Sequence, residues 1–316
     1  MKKLLSLLLI LMLLMPSVLA DEVIPAHDKH ERPEIEGVGE DGFLTGEGAE
    51  YVLADAEEGL WMYISETLRI EIDRYTASNR KLIWYTAHIW QKEGDGMHTF
   101  LADPAHPFGL SMLVEEIARQ YQLVFAINGD FFEDRYREGE KIGCIIKNNV
   151  VINRYAQELD NLPTLDVLAL FEDGTMKCFR ARSNSADKYL AMGVRDTICF
   201  GPILVSEGGI NMKQLEDYGR SREPRTALGM VENGHYVAIV CEGRSEESDG
   251  LRLSELAPLM LAEGCVEALN LDGGQTSVLS FMGEKLNATG TFHNSSKPRR
   301  VTDIVGIGVS DLVSAE

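Results

Sequence analysis

The sequence lacks the patterns that are typical of metal sites, common hydrolases and nucleic-acid-binding proteins. Its five cysteines are widely spaced and form no CxxC pair, so no zinc site is indicated. The histidines form no HExxH, and the absence of a GxSxG removes the signature of an α/β-hydrolase triad. The 30 basic residues are outnumbered by 50 acidic ones, and the net charge of −20 would repel a phosphate backbone. We therefore expect neither a nucleic-acid partner nor a cofactor, and a metal requirement stays open.

Long apolar runs are also scarce: the sequence has one, at the N-terminus. Two lysines precede an apolar run over residues 4–15, and a small-residue ending follows at residues 17–20. This order predicts a secretory signal peptide over residues 1–20, and the run is short for a membrane span. We expect no permanent membrane span and a secreted or extracytoplasmic protein that begins near Asp21 after cleavage. The cysteines, most of them in apolar context, are interpreted as small buried hydrophobes.

Two regions follow the signal peptide. Residues 21–50 are acidic, bear glycines and are poor in aromatics, which predicts a flexible and dispensable leader. A GxGxxG pattern begins at Gly37, but no strand precedes it and no amphipathic helix follows it, so a nucleotide loop is not indicated. We assign residues 51–316 to one large domain, and the chain's 45% hydrophobic content is ample for its core.

The domain reads as strand-rich. Residues 61–72 and 82–90 carry β-branched and aromatic residues in partial alternation. Four short turn sequences indicate hairpins: Asn148-Asn149, Asp173-Gly174, Asn233-Gly234 and Gly283-Glu284.

Twice the chain predicts a helix, then a buried strand, then a loop of acid and glycine. The first helix has its apolar residues on one face between Leu110 and Tyr121, and Ser254 is predicted to cap the second. The following strands, residues 123–127 and 266–271, lead into Asp130 and Asp272. Loops beyond strand ends are where rigid scaffolds present chemistry, so the two carboxylates would share a cleft if their strands are neighbours.

The loop Asp272-Gly273-Gly274-Gln275-Thr276-Ser277 allows two interpretations. On its own it could be a tight turn in which the aspartate caps the backbone. Paired glycines after a buried strand favour close approach by a ligand, and the hydroxyls of Thr276 and Ser277 could donate to phosphate or sugar oxygens. By the same argument Asn128 and Asp130 would face substrate.

Two arginines flank the Asn233-Gly234 hairpin. Arg225 enters one of its strands, and Arg244 follows the other, so the hairpin returns the second close to the level of the first. In so acidic a chain they would make a cationic fork for a phosphate or carboxylate. Glu242 would neutralise one arginine or serve as a further acid.

Six short motifs together resemble the phosphodiester glycosidase family. They occur in order between about residues 82 and 309: Asn128-Gly-Asp-Phe-Phe, Gly201-Pro-Ile-Leu-Val, Pro224-Arg-Thr-Ala-Leu-Gly, Glu242-Gly-Arg, Gly250-Leu-Arg-Leu-Ser-Glu-Leu and Asn270-Leu-Asp-Gly-Gly. The resemblance implies an α+β domain of mixed β-sheets with packed helices. It also implies a site built from these residues: Asn128, Asp130, Arg225, Glu242, Arg244, Asn270, Asp272, Gly273 and Gly274.

The chain departs from the family pattern at two places. The family commonly has aspartate where Glu242 stands, and a third glycine followed by serines where Gln275-Thr276-Ser277 stands. These departures bear on the choice of substrate more than on the reaction class. Bacterial relatives are often labelled exopolysaccharide-related, so a polysaccharide substrate is a further expectation.

These observations predict an exported hydrolase that cleaves a sugar from a sugar-1-phosphodiester. Asp130, Asp272 and Glu242 are the candidate catalytic acids, with their individual roles open, and Arg225 and Arg244 are the candidate phosphate clamp. Two alternatives stay open: a non-catalytic polysaccharide-binding protein of the envelope, and an ordinary glycosidase without a phosphate requirement.

Overall fold

The computed structural model of the chain describes residues 30–94, 96–107, 109–130, 143–154 and 164–315. Strands dominate these ranges, and four helices accompany them. The strands are β1 (Tyr51–Asp55), β2 (Leu60–Ile64), β3 (Leu68–Thr76), β4 (Ile83–Gln91), β5 (His98–Leu101), β6 (Leu123–Asn128), β7 (Ile145–Lys147), β8 (Val150–Asn153), β9 (Asp166–Phe171), β10 (Met176–Phe179), β11 (Val194–Phe200), β12 (Ile203–Val205), β13 (Arg225–Glu232), β14 (His235–Cys241), β15 (Glu267–Asn270), β16 (Leu279–Phe281), β17 (Glu284–Lys285) and β18 (Asp303–Val309). The helices are α1 (Val114–Gln120), α2 (Ala186–Ala191), α3 (Met212–Tyr218) and α4 (Leu253–Ala262).

Two large sheets and two small ones make up the architecture. The largest sheet has the order β1-β2-β3-β4-β14-β13-β15-β12, and the second has the order β17-β16-β6-β18-β5. A three-stranded sheet (β10-β9-β11) and the β7–β8 hairpin complete the set. The strand-rich α+β class is confirmed. The resemblance implied mixed sheets, but the strand pairs of the described residues are antiparallel. Short turns join many of the neighbouring strands, and such turns connect antiparallel strands.

The predicted hairpins are found. The turns Asn148-Asn149, Asp173-Gly174 and Asn233-Gly234 join β7 to β8, β9 to β10 and β13 to β14. The fourth turn is one residue earlier than predicted, at Met282-Gly283, since Glu284 already pairs with Phe281. Both of its residues have positive φ, 50° and 78°.

The main core lies between the two large sheets. Period-two alternation places Ile72 and Tyr85 of the larger sheet on the same inner face, where they meet Ile127 and Val305 of the smaller one. The helices cover the outer faces. α1 packs on the five-stranded sheet through Val114, Ile117 and Ala118, as its periodicity predicts.

The second predicted helix begins slightly earlier than expected. α4 starts at Leu253, with Arg252 as its N-cap, and the Glu255 carboxylate accepts the Arg252 N–H at 2.8 Å. Ser254 is therefore inside the helix and does not cap it. The Glu255 carboxylate satisfies the free N–H group of the N-cap residue itself, so the helix starts at Leu253 without a hydroxyl cap.

The five cysteines are buried free thiols, as their apolar context predicts. They are distributed over three hydrophobic clusters: Cys178, on β10 of the three-stranded sheet, lies in the main core, Cys241 and Cys265 lie beneath α4, and Cys144 and Cys199 lie beside α2. Burial raises the pKa of Cys144 and Cys265 to about 12.

The leader is packed rather than flexible over the part that the structure describes, residues 30–50. Arg32 donates from both terminal nitrogens to the Asp73 carboxylate of β3, at 2.8 and 2.6 Å, and His30 Nδ1 lies 2.8 Å from the same group. Leu44 packs with Met62 and Ile64 of β2. Composition alone missed this docking because a few specific contacts, above all Arg32 opposite an aspartate that is only 1% exposed, attach a segment whose overall composition stays acidic.

The predicted signal peptide and residues 21–29 lie outside the described residues. Among the residues that the structure describes, none of the helices is long and apolar enough to cross a membrane.

Arg32→Ala is expected to reduce the free energy of unfolding by about 3 kcal/mol, because it leaves the buried Asp73 carboxylate without its main counter-charge. Lys92→Ala is the matched control, since it breaks an exposed ion pair between the same segment and the sheet, at Asp41. The control should unfold like the parent chain in a urea titration. A mobile, undocked leader would instead leave both variants unchanged.

Candidate active site

The candidate site is organised around Asn128, the last residue of β6. Its amide Nδ2 donates to the Asp272 carbonyl oxygen at 2.9 Å, and its Oδ1 accepts from Thr226 Oγ1 at 2.8 Å. Asp272 and Thr226 both belong to the larger sheet or its loops. The buried Asn128 side chain therefore crosses from one sheet to the other where the two predicted acid–glycine loops begin.

The two strands that lead into these loops are not neighbours in one sheet, as the shared-cleft argument assumed. β15 pairs with β13 and β12, whereas β6 pairs with β16 and β18. The strands lie in separate sheets that face each other across the core. Their ends still meet, through the Asn128–Asp272 hydrogen bond rather than through a shared ladder.

Asp272 is 8% exposed, and each of its carboxylate oxygens has a partner. Oδ1 accepts the Gly273 N–H at 2.9 Å, and Oδ2 lies 3.1 Å from Arg299 Nη1. Arg299 keeps 42% of its side chain exposed. The sequence reasoning missed Arg299, although two successive arginines directly before a strand in so acidic a chain were an available signal.

The two glycines after Asp272 have packing reasons. A Cβ on Gly273 would lie 2.7 Å from the Pro224 carbonyl oxygen, so this glycine permits close backbone contact between two loops. Gly274 has a φ of +67°, and a Cβ there would lie 3.0 Å from Arg244 Nη1. Ligand approach is therefore not needed to explain Gly273, while Gly274 does leave room for a guanidinium.

The hydroxyls of Thr276 and Ser277 are enclosed. Both side chains are buried, and their oxygens have no hydrogen-bond partner among the residues that the structure describes. The expectation that they face a ligand directly is not met in this conformation, in which the loop turns tightly over Gly274–Thr276 and directs them inward.

The two arginines lie at one end of the β13–β14 hairpin, and their side chains have different hydrogen-bond partners. Arg225 pairs with Cys241 across the hairpin, and its Nε and Nη2 donate to the Leu251 and Ser221 carbonyl oxygens, both at 3.1 Å. Burial lowers the pKa of Arg225. These contacts hold Arg225 beside the start of α4, and the fork with Arg244, whose like charge also lowers the pKa of Arg225, stays a prediction.

Arg244, like Arg225, is partly exposed, with 29% of its side chain accessible. Its Nε donates to a Glu223 carboxylate oxygen at 2.6 Å, and its guanidinium lies 5.0 Å from the centre of the Phe292 ring. Glu223, rather than Glu242, is thus the acid that pairs with this arginine.

Glu242 lies deeper, between the sheets. Its Oε1 accepts the Ala288 N–H at 2.8 Å and contacts the Tyr85 hydroxyl at 3.3 Å. Burial raises the pKa of Glu242 above the ordinary range of a glutamate, despite these hydrogen bonds, which lower it. A carboxyl that holds its proton to higher pH is suited to donate a proton.

Asp130 is held by different segments from those that hold Asp272. Its Oδ2 accepts the Cys199 N–H at 2.9 Å, and its backbone N–H donates to Asp303 Oδ1 at 2.9 Å. The remainder of its predicted motif, Phe131 and Phe132, lies outside the described residues.

A fully buried ion pair, between Lys147 and Asp303, lies next to Asp130. Lys147 Nζ lies 2.7 Å from Asp303 Oδ2 and donates to the Thr197 carbonyl oxygen at 3.0 Å. Burial raises the pKa of Asp303, and Lys147 opposes that shift. A Cβ on Gly129 would lie 2.7 Å from the Asp303 carboxyl carbon, so glycine is required there. Lys147 and Asp303 were missed, and a lysine within the apolar run Ile145–Lys147 was the available signal.

Asn270 closes the back of the site. Its Nδ2 donates to the Gly201 carbonyl oxygen at 2.8 Å, and the Gly201 N–H returns a hydrogen bond to the Asn270 carbonyl oxygen at 3.0 Å. The residue ties the loop before β12 to β15. Over the described part of the chain, no group of three or more His, Cys, Asp or Glu side chains is arranged to hold a metal ion.

Comparison with known proteins assigns the chain to a family. A sequence model described as "Phosphodiester glycosidase" matches residues 121–308, which is more than half of the chain. The chain belongs to the phosphodiester glycosidase family. The site residues from Asn128 to Asp303 lie inside the matched region, and Tyr85 lies before it. The motif-based resemblance is therefore confirmed.

Two curated relatives match at modest identity. The SPbeta prophage-derived uncharacterized protein YomE of Bacillus subtilis is 28% identical over 236 residues, covering 74% of this chain and 34% of the relative. The N-acetylglucosamine-1-phosphodiester alpha-N-acetylglucosaminidase of Bos taurus is 26% identical over 230 residues, covering 66% of this chain and 42% of the relative. The chain thus spans less than half the length of each of these relatives.

Solved structures share the fold. The catalytic domain of the zebrafish N-acetylglucosamine-1-phosphodiester alpha-N-acetylglucosaminidase, auto-inhibited by its pro-peptide, superposes with a TM-score of 0.60 at 18% identity, over 76% of this chain and 82% of that one. A hypothetical protein from Synechocystis gives a TM-score of 0.51 at 14% identity, over 77% of this chain and 62% of that one.

Glu242→Gln is expected to change the pH dependence of stability. Because the folded-state pKa is raised, wild-type stability falls as pH rises from the ordinary glutamate pKa, about 4.3, through the higher folded value. The amide keeps the acceptor oxygen but cannot ionise, so the variant should gain stability relative to wild type across that interval. Urea titrations at several pH values measure the difference. The exposed Glu284→Gln is the control, and a variant that loses relative stability as pH rises would mean that Glu242 is stabilised as a carboxylate.

Proposed function

We propose that this family member is an exported hydrolase that removes a sugar from a sugar-1-phosphodiester. The observation that carries the proposal is the surroundings of Asp272. A nearly buried carboxylate lies beside the half-exposed Arg299 guanidinium, and the loop that follows it passes under Arg244. Such an arrangement provides an acid–base group next to cations that can hold a phosphodiester.

The reaction breaks the bond between the anomeric carbon and the phosphate oxygen. A water molecule supplies the new oxygen on the anomeric carbon, and the phosphate leaves with the electrons of the broken bond as a monoester anion. Asp272 is the group best placed to take the proton of the water or to attack the anomeric carbon. Arg244 and Arg299 would stabilise the departing phosphate.

The other two candidate acids take supporting roles in this proposal. Glu242 holds its proton to higher pH than an ordinary glutamate, which suits it to protonate the leaving oxygen or a sugar hydroxyl. Asp130 accepts a hydrogen bond from Cys199 and stands on the Asp303–Lys147 pair, which suits it to orient substrate hydroxyls. Export and a polysaccharide substrate remain part of the proposal on the strength of the sequence alone.

Asp272→Asn is expected to lower kcat by about 10²-fold or more, because it removes the charge of a positioned acid–base group. It should lower the melting temperature only slightly, since the amide oxygen can keep the hydrogen bond to Gly273 and the ion pair that is lost involves the partly exposed Arg299. The matched control is Asp173→Asn, an aspartate that also precedes a glycine and accepts a backbone N–H, from Thr175, far along the chain from the site. Steady-state kinetics on a sugar-1-phosphodiester, with a thermal melt, decide the case. An active Asp272→Asn enzyme would restrict Asp272 to capping the turn.

Arg244→Lys is expected to lower kcat/KM on sugar-1-phosphodiesters by about 10- to 100-fold, the value of a charge-assisted hydrogen bond, while aryl glycosides change little. Lysine keeps the charge but loses the planar donor pair. Arg225→Lys is the comparison, since its contacts to the Leu251 and Ser221 carbonyls predict a lower melting temperature and equal losses on both substrates. Cleavage of aryl glycosides with no preference for phosphodiesters would favour the ordinary glycosidase, and cleavage of neither would favour the binding protein.

A further inference from the structure

Tyr85 is a buried tyrosine whose hydroxyl contacts one of the candidate acids. It lies on β4, before the region that the family model matches, and its ring belongs to the core between the two large sheets. The hydroxyl oxygen lies 3.3 Å from Glu242 Oε1 and 3.3 Å from the Leu286 carbonyl oxygen. A tyrosine hydroxyl carries one proton, so it can donate fully to only one of these two acceptors at a time.

The backbone holds the Glu242 carboxyl in place while the Tyr85 hydroxyl keeps a choice of acceptor. Glu242 Oε1 accepts the Ala288 N–H at 2.8 Å, and the residue is only 6% exposed. Because its two acceptors are equally distant, the hydroxyl can donate to Glu242 when that group is a carboxylate and to the Leu286 carbonyl when it is an acid. Either protonation state of Glu242 therefore leaves the buried hydroxyl with an acceptor.

Two cations face the same carboxyl, one from each large sheet. Arg74 lies directly opposite Tyr85 across the β3–β4 ladder, and Lys285 lies on β17. Burial is the main influence on the pKa of Glu242 and raises it, while the hydrogen bonds to its oxygen and both cations oppose that rise. The neighbouring Cys241 thiol stays protonated, since burial and the nearby carboxylate raise its pKa. The charge of Glu242 is thus set by burial against groups on β3, β4 and β17.

We infer that Tyr85, with Arg74 beside it, is a positioning residue of the reaction, and that its hydroxyl turns to Glu242 when that acid gives its proton to the leaving oxygen. The inference rests on the proposed function, in which Glu242 is a proton donor. The O–H bond of Glu242 breaks as an O–H bond forms on the leaving group. Glu242 then regains a proton from solvent, and Asp272 releases to solvent the proton that it took from the attacking water. The Tyr85 hydroxyl returns to the Leu286 carbonyl as Glu242 is reprotonated.

A stability cycle tests the coupling without any substrate. Tyr85→Phe keeps the ring and removes a donor to the carboxylate, so it should raise the pKa of Glu242 by about half a unit to one unit, the value of one net hydrogen bond. The folded-state pKa then lies further above the unfolded one, so the variant should lose more stability than wild type as pH rises through that pKa. In the Glu242→Gln background the same substitution should have the same cost at every pH. Urea titrations at several pH values measure both differences.

The pH dependence of turnover tests the role in the reaction. On a sugar-1-phosphodiester, kcat/KM should fall as pH rises through the pKa of Glu242, because only the acid form donates a proton. Tyr85→Phe should move that fall to higher pH by the same interval. Arg74→Gln should move it in the same direction without altering the buried ring, so it tests the inference even if Tyr85→Phe does not fold. Tyr75→Phe is the matched control and should leave the fall in place, since this buried tyrosine of β3 packs with Trp84 on the other face of the sheet.

The outcomes separate this inference from the function on which it rests. If the stability cost of Tyr85→Phe does not vary with pH, or if the folded variants leave the fall in kcat/KM where it is in wild type, the positioning role is refuted and the hydrolase is untouched. If wild type turns over no sugar-1-phosphodiester, the proposed function is refuted, and with it the role of Tyr85 in the reaction.

Discussion

The candidate site depends on one buried amide, the side chain of Asn128. It bonds to Thr226 and to the Asp272 backbone of one sheet while its own strand belongs to the other. The Val278 N–H also approaches its oxygen, at 3.4 Å. A buried polar group of this kind is stable only when its donors and acceptors are matched, and here the matching partners come from three separate segments. The hydrogen bonds of Asn128 that join the two sheets therefore also position Asp272.

Local structure was predictable because it is encoded locally. Turn pairs such as Asn233-Gly234 fix hairpins through backbone preferences, and the apolar stripe of α1 identifies its buried face. The loops at Asp130 and Asp272 were found for the same reason, since each follows a run of buried residues. Motif order added the family, which composition could not supply.

Side-chain direction and sheet membership were not predictable. Period-two alternation tells which residues share a face, but it does not tell which sheet a strand joins, so the facing positions of β6 and β15 were missed. A long arginine side chain can reach carbonyls on either side of its strand, and Arg225 reaches those of Leu251 and Ser221. The Lys147–Asp303 pair joins residues more than 150 positions apart, so the local pattern could single out Lys147 within an apolar run but could not identify its partner.

The distribution of the cysteines has a practical consequence. Each thiol sits inside one of three hydrophobic clusters, and high pKa values keep those of Cys144 and Cys265 protonated and unreactive in the folded state. Alkylation of any one of them requires the surrounding cluster to open. The chain thus carries built-in probes of local opening: Cys178 reports on the main core where the three-stranded sheet packs, Cys265 on the layer beneath α4, and Cys144 on the small sheet that supports Asp130.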